Sequence, residues 1–132
     1  ILIDFRSNHG GTFFSALHFL SLFMCAETQV GRLVGANQKS AAVFPVTSDM
    51  SEQIQKMMMT GNLILQTPKS EVCLKNKLSL LVNSETASMA EIVSVVLKEQ
   101  KQASVYGIRT AGETTIGFWY DFDEIYPGAQ LT

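Results

Sequence analysis

The feature that most constrains the fold is an apolar run, Leu78–Asn83, that leads through a short turn into a helical pattern, Ser88–Gln100. The run predicts a strand buried on both faces. The helical pattern places one set of apolar side chains on a single face: Met89, Ile92, Val93, Val96 and Leu97. Between the two elements, Ser88 lies beside unpaired backbone N–H groups and the positive end of the helix dipole. A nucleophilic serine and its oxyanion hole can share such a piece of backbone.

Length and charge limit the class of protein. At 132 residues the chain, residues 1–132, is one domain or a piece of one, and its apolar share of 46% suffices for a core. The net charge of −2 gives no reason to expect nucleic acid as a partner. Because the chain opens directly on an apolar strand, we expect a fragment of a longer protein, with any targeting or membrane-anchoring segment outside it. The sequence does not predict an oligomeric state.

Two cysteines, Cys25 and Cys73, lie far apart and are flanked by apolar residues. This environment favours buried free thiols. A single disulfide stays open as the alternative, without support from the sequence. Neither cysteine has the spacing of a metal ligand, and the chain has two histidines in all, so no metal or cofactor is predicted.

The stretch Phe13–Ala26 is strongly apolar but shorter and more interrupted than the roughly 20 apolar residues of a membrane span. Ser15, His18 and Ser21 interrupt it at helical spacing, which predicts a buried helix with a narrow polar stripe. We interpret His18 as a hydrogen-bonded structural histidine; a catalytic base is the alternative.

Strands and helices alternate along the chain. The predicted strands are Ile1–Phe5, Val30–Val34, Ala41–Val46, Leu63–Gln66, Leu78–Asn83, Ala103–Gly107 and Thr114–Tyr120, with Ala129–Thr132 as a candidate hairpin partner. The predicted helices are Thr12–Glu27, Ser48–Thr60 and Ser88–Gln100, and Lys69–Lys77 is a surface connection. This alternation predicts an α/β fold with a largely parallel layer and right-handed crossovers.

Ser88 has two interpretations. With Glu91 it forms the pattern S-x-x-E before an apolar helix, which is a capping box that satisfies free N–H groups. The catalytic interpretation gains from a second glycine-rich loop, Arg6–Gly11, that also follows a strand. Loops at the carboxyl ends of parallel strands gather at one edge of a sheet. The backbone N–H of Gly10 or Gly11, with that of Met89, would then hold a developing oxyanion.

Three segments resemble one protein family. Ile3–Gly11 resembles the strand and "D-x-R-x-N-x-G-G" segment of the tail-specific, or C-terminal processing, serine proteases, peptidase family S41. Leu81–Ile92 resembles the nucleophile segment of that family, and Ala103–Gly112 resembles its "V-x-G-x-x-T-x-G" strand and turn. The three occur in the family's order and cover most of the chain.

The sequence of Thr86–Glu91 is most similar to the corresponding segment of the nisin resistance proteins, a bacterial branch that clips the C-terminal tail of a lanthipeptide. The resemblance implies a ClpP/crotonase-like core with a mostly parallel sheet and flanking helices. It also implies Ser88 as nucleophile, a peptide or lanthipeptide substrate such as nisin, and an extracytoplasmic, membrane-anchored bacterial parent protein.

The general base departs from the family pattern. Tail-specific proteases commonly use a serine–lysine dyad, and Glu113 stands where that lysine is expected. We interpret Glu113 as a solvated turn residue, with an accessory role as the alternative. The nisin resistance branch resembles a serine–histidine dyad whose histidine lies in a segment that nothing here matches. His9 is the histidine nearest the predicted site and is a second accessory candidate. We therefore expect these 132 residues alone to be inactive or nearly so.

Two further stretches and two rival functions stay open. Phe118–Tyr126 joins aromatic residues to three acids and is either a groove for a cationic, apolar peptide or a solvated hairpin. Met57–Met59 is core filler or the lining of a substrate groove. The rival functions are a non-catalytic ClpP/crotonase-like peptide-binding or assembly module, in which Ser88 is only a cap, and a crotonase-like acyl-CoA enzyme.

Overall fold

A computed structural model of the chain describes residues 1–34, 42–44 and 62–114. Its strands are β1 (Leu2–Asp4), β2 (Gln29–Val34), β3 (Ala42–Phe44), β4 (Asn62–Gln66), β5 (Ser79–Val82) and β6 (Ser104–Gly107). Its helices are α1 (Phe13–Met24) and α2 (Met89–Lys101). The bounds of each of these strands and helices lie within a few residues of the predicted bounds. The predictions for Ser48–Thr60 and Phe118–Tyr126, with those for Met57–Met59 and the two last strands, lie outside the described residues.

The first sheet has the order β1-β5-β6 and is parallel throughout. Leu2 pairs with Ser79 at one end, and Val82 pairs with Gly107 at the other. Helix α2 joins β5 to β6 and packs against α1. Because all three strands run the same way, the loops that follow them emerge at one edge.

The second sheet has the order β2-β4-β3 and lies between α1 and β5 in the sequence. Strand β2 runs antiparallel to β4, and β3 runs parallel to it. Parallel pairings still dominate among the described strands, as predicted. The division into two sheets was not predicted, because periodicity indicates which residues form strands but not which strands pair.

The hydrophobic core forms where the two helices cover the first sheet. Its members include Phe5, Leu20, Phe23, Leu80, Val82, Met89, Val93, Val96 and Leu97. Leu80 and Leu97 are completely buried, and full burial of such a side chain contributes about 1.5–3 kcal/mol. The apolar face predicted for α2 is confirmed, with Ile92 half-buried at its margin.

Strand β5 is buried less evenly than predicted. Leu80 and Val82 are buried, whereas Ser79 and Leu81 are only half-buried. The expectation of burial on both faces was therefore wrong for one face. The reason is that the residues of α1 and α2 in the core pack against the face that carries Leu80 and Val82.

The two cysteines form a disulfide bond, Cys25–Cys73, so the expectation of free thiols was wrong. Cys25 ends α1 in a left-handed conformation, with φ 66°. Leu74 N donates to Leu22 O at 2.8 Å, which places the segment around Cys73 beside the end of α1. Apolar neighbours indicate a buried sulfur but do not distinguish a thiol from a disulfide.

The polar stripe of α1 is divided between solvent and core. Ser15 and His18 are exposed, and Ser21 is buried with its hydroxyl donating to His18 O. The ring Nδ1 of His18 lies 2.9 Å from Phe14 O, so the predicted hydrogen-bonded histidine is confirmed.

Among the helices within the described ranges, none has the length and apolar content needed to cross a bilayer.

Candidate active site

Three loops meet at the carboxyl edge of the first sheet. We call them the β1 loop (residues 5–12), the elbow (residues 83–88) and the β6 loop (residues 108–114). Ala87 N in the elbow donates to Asn8 O in the β1 loop at 3.0 Å. Ala111 N in the β6 loop donates to Thr86 O in the elbow at 3.0 Å. The elbow therefore lies between the other two loops and is bonded to both.

Ser88 has a strained backbone at the point where the elbow becomes α2. Its φ is 54° and its ψ is −125°, a conformation that costs a non-glycine residue roughly 1–3 kcal/mol. The side chain is half-buried. Ordinary N-cap residues have extended backbone, so Ser88 does not hold the geometry of a simple cap.

The predicted capping box is formed mainly by its carboxylate. Ser88 N donates to Glu91 Oε2 at 3.0 Å. The Ser88 hydroxyl approaches the Glu91 amide but makes no side-chain cap hydrogen bond. The capping box predicted from the sequence is therefore present, and the hydroxyl, which makes no full hydrogen bond in it, stays available for other chemistry.

Glu91 is a buried carboxylate, 4% exposed, that binds both the elbow and the β6 loop. Besides Ser88 N, it accepts hydrogen bonds from Gly112 N at 2.7 Å and Glu113 N at 2.8 Å. Burial alone would raise the pKa of Glu91, but hydrogen bonds from the Thr110 side chain and from these three amides outweigh it and lower the pKa. The ionised carboxylate thus fixes the β6 loop to the first turn of α2.

Gly10 brings the β1 loop into contact with the elbow. Its φ is 99°, and a Cβ atom there would lie 2.8 Å from Ser88 Cβ and 3.0 Å from Met89 N. Both the conformation and the space require glycine. The predicted meeting of the glycine-rich loop with Ser88 is therefore present in the structure.

The structure distinguishes the three predicted oxyanion donors. Gly10 N donates to Asn8 Oδ1 at 2.9 Å, so this amide is used within its own loop. The amides of Gly11 and Met89 donate to no other residue in the part of the chain that the structure describes. These two amides are the better candidates to bind a developing charge, and the assignment of a catalytic role to them stays a prediction.

A salt bridge fixes the start of the β1 loop. The Arg6 guanidinium binds both carboxylate oxygens of Asp4, with Nη2 at 2.7 Å from Oδ2. Hydrogen bonding from Arg6 lowers the pKa of Asp4 to about 2 and raises the pKa of Arg6. Nearby, Ser7 N donates to Asn83 Oδ1 at 2.9 Å, which adds a further bond between the β1 loop and the elbow.

The two residues predicted as accessory candidates lie at the solvent-exposed edge of the site. His9 and Glu113 are both exposed. Glu113 takes part through its backbone N–H, which binds Glu91, rather than through its carboxylate. Within the described residues, the Ser88 hydroxyl makes no hydrogen bond to an imidazole, amine or carboxylate group. The general base of the predicted chemistry is thus not among these contacts.

Sequence reasoning missed Thr86, which is completely buried at the centre of the site. Its hydroxyl donates to Phe5 O at 2.8 Å and accepts from Asn83 N at 3.0 Å. The spacing Asn83-x-x-Thr86 at the end of a strand is a local signal for a side-chain-stabilised turn. The link to Phe5, 81 residues away, has no such signal.

A strained serine between a buried strand and a helix N-terminus, beside unused backbone amides, is an arrangement typical of serine hydrolases. Residues 1–129 match the family model described as Peptidase family S41. The chain therefore belongs to peptidase family S41.

Known relatives agree with this assignment. Two curated proteins, each named a probable CtpA-like serine protease, come from Staphylococcus saprophyticus and Staphylococcus haemolyticus and are 24% and 23% identical over 124 residues. Each match covers 94% of this chain and 21% of the relative, so the chain spans about a fifth of the length of these relatives.

A solved structure of a photosystem II D1 C-terminal processing protease has a similar fold. The TM-score is 0.59 at 21% identity, over 85% of this chain and 23% of that one. The predicted α/β core of the ClpP/crotonase-like type is confirmed by this likeness.

Proposed function

We propose that the chain carries the nucleophile of a family S41 serine endopeptidase that cleaves a peptide bond near the C-terminus of its substrate. The observation that carries the proposal is the contact between Gly10 and the strained Ser88, because it brings unused amides and a hydroxyl to one edge of the sheet. Membership of family S41 supports the reaction class.

The proposed reaction is acyl transfer. Ser88 Oγ gives its proton to a base and attacks the peptide carbonyl, and the amides of Gly11 and Met89 stabilise the oxyanion. The amine product leaves with a proton from the base, and water then hydrolyses the acyl-enzyme. The base is contributed by a residue outside the contacts described above.

A serine-reactive fluorophosphonate probe tests this proposal on the protein as it is naturally expressed. We expect the label on Ser88, located by peptide mass spectrometry, and no label on a Ser88→Ala variant. Ser94→Ala is the matched control, because Ser94 lies on the same helix and uses its hydroxyl to bind Ala90 O; this variant should label normally. A wild-type protein that stays unlabelled near neutral pH would favour the non-catalytic peptide-binding module.

We further propose a substrate of the lanthipeptide class, as in the nisin resistance branch. Two sequence segments support this substrate class. They are Thr86–Glu91, which resembles that branch, and the aromatic and acidic stretch Phe118–Tyr126, which lies outside the described residues. The test compares nisin with a linear peptide that has the same C-terminal residues. Ser88-dependent loss of the nisin tail, seen by mass spectrometry, is expected; cleavage of the linear peptide alone would point to a general tail-specific protease.

We also propose an extracytoplasmic location for a membrane-anchored parent protein. The Cys25–Cys73 disulfide supports it, because such bonds persist mainly in oxidising compartments. Membrane fractionation with alkylation of free thiols in intact cells tests both parts. Recovery in the soluble cytoplasmic fraction with two alkylated cysteines would contradict the proposal.

A further inference from the structure

Thr86 forms hydrogen bonds with all three loops of the site. Its hydroxyl donates to Phe5 O in the β1 loop and accepts from Asn83 N in the elbow. Its backbone carbonyl accepts from Ala111 N in the β6 loop. Thr86 is also completely buried, so water cannot replace any of these partners.

The hydrogen bonds around Thr86 close a ring between the β1 loop and the elbow. Phe5 O accepts from Thr86 Oγ1 at 2.8 Å and from Asn8 N at 3.1 Å. Asn8 O in turn accepts from Ala87 N, the residue after Thr86, at 3.0 Å. Gly10, which contacts Ser88, follows Asn8 by two residues and donates its N–H to the Asn8 side chain.

We propose that Thr86 is a positioning residue, whose hydroxyl holds the β1 loop against the elbow and so sets the distance between Ser88 Oγ and the free amide of Gly11 in that loop. This inference rests on the proposed function. Thr86 itself touches no reacting atom in it, and acts through Phe5 and Asn8.

The hydroxyl group is the part of Thr86 on which this role depends. A valine has nearly the same shape but would leave Asn83 N without its acceptor and Phe5 O with one donor fewer, around a side chain that is completely buried. The loops would have to move to recover these bonds. A displacement near 1 Å between a nucleophile and its oxyanion donors can lower a rate by about a hundredfold.

The chain offers a matched control in Thr67, which is 1% exposed. Its hydroxyl accepts from Thr28 N at 3.1 Å and donates to Ala26 O at 3.2 Å, the same pattern that Thr86 shows. These partners lie at the base of the second sheet and not in the three loops. Thr67→Val therefore removes equivalent bonds at a place where no positioning of Ser88 is involved.

The experiment measures the rate of fluorophosphonate labelling at Ser88, kcat and KM on a cleaved peptide, and the urea midpoint of unfolding, in the naturally expressed protein. Thr86→Val should lower the labelling rate and kcat by about ten- to a hundredfold, with KM changed less than about threefold. Thr67→Val should lower the urea midpoint but keep the labelling rate within about twofold of wild type. Thr86→Ser, which keeps the hydroxyl, should restore most of the rate.

The outcomes separate this inference from the proposed function. A wild-type protein that does not label at Ser88 overturns the proposed function and the inference with it. A wild type that labels, together with a Thr86→Val protein that labels equally fast well below its urea midpoint, overturns the inference alone. If Thr86→Val does not fold, the pair Thr86→Ser and Thr86→Ala decides, since the two differ only in the hydroxyl: equal labelling rates in that pair also overturn it.

Discussion

Contacts from neighbouring residues hold the strained backbone of Ser88 in place. A φ of 54° in a non-glycine residue persists only where surrounding contacts over-determine it. Here the contacts are Glu91 Oε2 on the Ser88 amide and the packed backbone of Gly10 on its side chain. Ser88 therefore keeps the capping-box pairing with Glu91 that the sequence predicts, but with a backbone conformation that ordinary N-cap residues do not have.

The contact between Gly10 and Ser88 makes a substitution there severe. Gly10→Ala should reduce fluorophosphonate labelling by roughly a hundredfold, because the new Cβ would displace Ser88. The positive φ alone should cost about 1–3 kcal/mol of the free energy of unfolding. The measurements are labelling rate and urea unfolding.

Gly31→Ala is the control for this substitution. A Cβ atom on Gly31 would meet only Leu65 Cδ1 at an ordinary 3.6 Å, so labelling should match wild type. If Gly10→Ala folded and labelled as fast as Gly31→Ala, the β1 loop would not lie against Ser88.

Glu91 predicts a pH dependence of stability. The pKa of Glu91 is lower in the folded protein than its ordinary value of 4.5. The ionised carboxylate therefore stabilises the folded state above that pH, and this contribution is lost as the pH falls through the folded pKa. Glu91→Gln, which leaves buried amides short of acceptors, should cost roughly 1–3 kcal/mol at neutral pH.

The difference in unfolding free energy between wild type and Glu91→Gln should shrink as the pH falls below about 4.5. Urea unfolding between neutral pH and pH 3 measures it. Glu99→Gln, an exposed change on the same helix, should stay within about 0.5 kcal/mol of wild type throughout. A Glu91→Gln deficit that grew toward low pH would show that Glu91 is not the stabilising anion.

At the scale of elements, short-range sequence patterns predicted the helices and strands but not the contacts between them. Helix α2 was predicted well because its apolar period and its first-turn Glu91 both mark the same start. The pairing of β2 with β4 and the bond from Thr86 to Phe5 were not predictable in this way, since each joins residues far apart in the sequence. The site was therefore predicted as a set of residues, and its internal connections came from the structure.

The disulfide joins the end of α1 to the segment before β5 and encloses the whole second sheet. Its two cysteines are 48 residues apart in sequence. Closing a loop of that length restricts the unfolded chain, so Cys73→Ser should lower the free energy of unfolding by about 2–4 kcal/mol. Urea midpoints with and without a reducing agent measure the effect.

Reductant provides the internal control for the cysteine variant. The midpoint of wild type should fall toward that of Cys25→Ser/Cys73→Ser when the bond is reduced, and the midpoint of the double variant should not move. Equal midpoints for oxidised wild type and the double variant would contradict a stabilising bond between α1 and the β5 segment.

At the scale of the whole molecule, the parallel sheet gathers three loops that are far apart in the sequence. The β1 loop, the elbow and the β6 loop each follow a strand of the order β1-β5-β6. Thr86 and Glu91 then bind these loops to one another from inside. The fold thus brings Ser88 and unused amides to one edge of the sheet, while Glu113 stands where the family resemblance places a lysine.

The presence of Ser88 without the expected lysine leads to a prediction about the isolated 132 residues. They should cleave peptides at or near the background rate, because no base contacts the Ser88 hydroxyl among the residues that the structure describes and the loss of a general base typically lowers a rate by about 10²–10⁴-fold. Circular dichroism and a cooperative urea transition would first establish that the isolated chain is folded. Peptide hydrolysis is then compared with that of the naturally expressed protein and of its Ser88→Ala variant. Rapid, Ser88-dependent cleavage by the isolated chain would mean that a base lies within these residues, with His9 and Glu113 as the first positions to substitute.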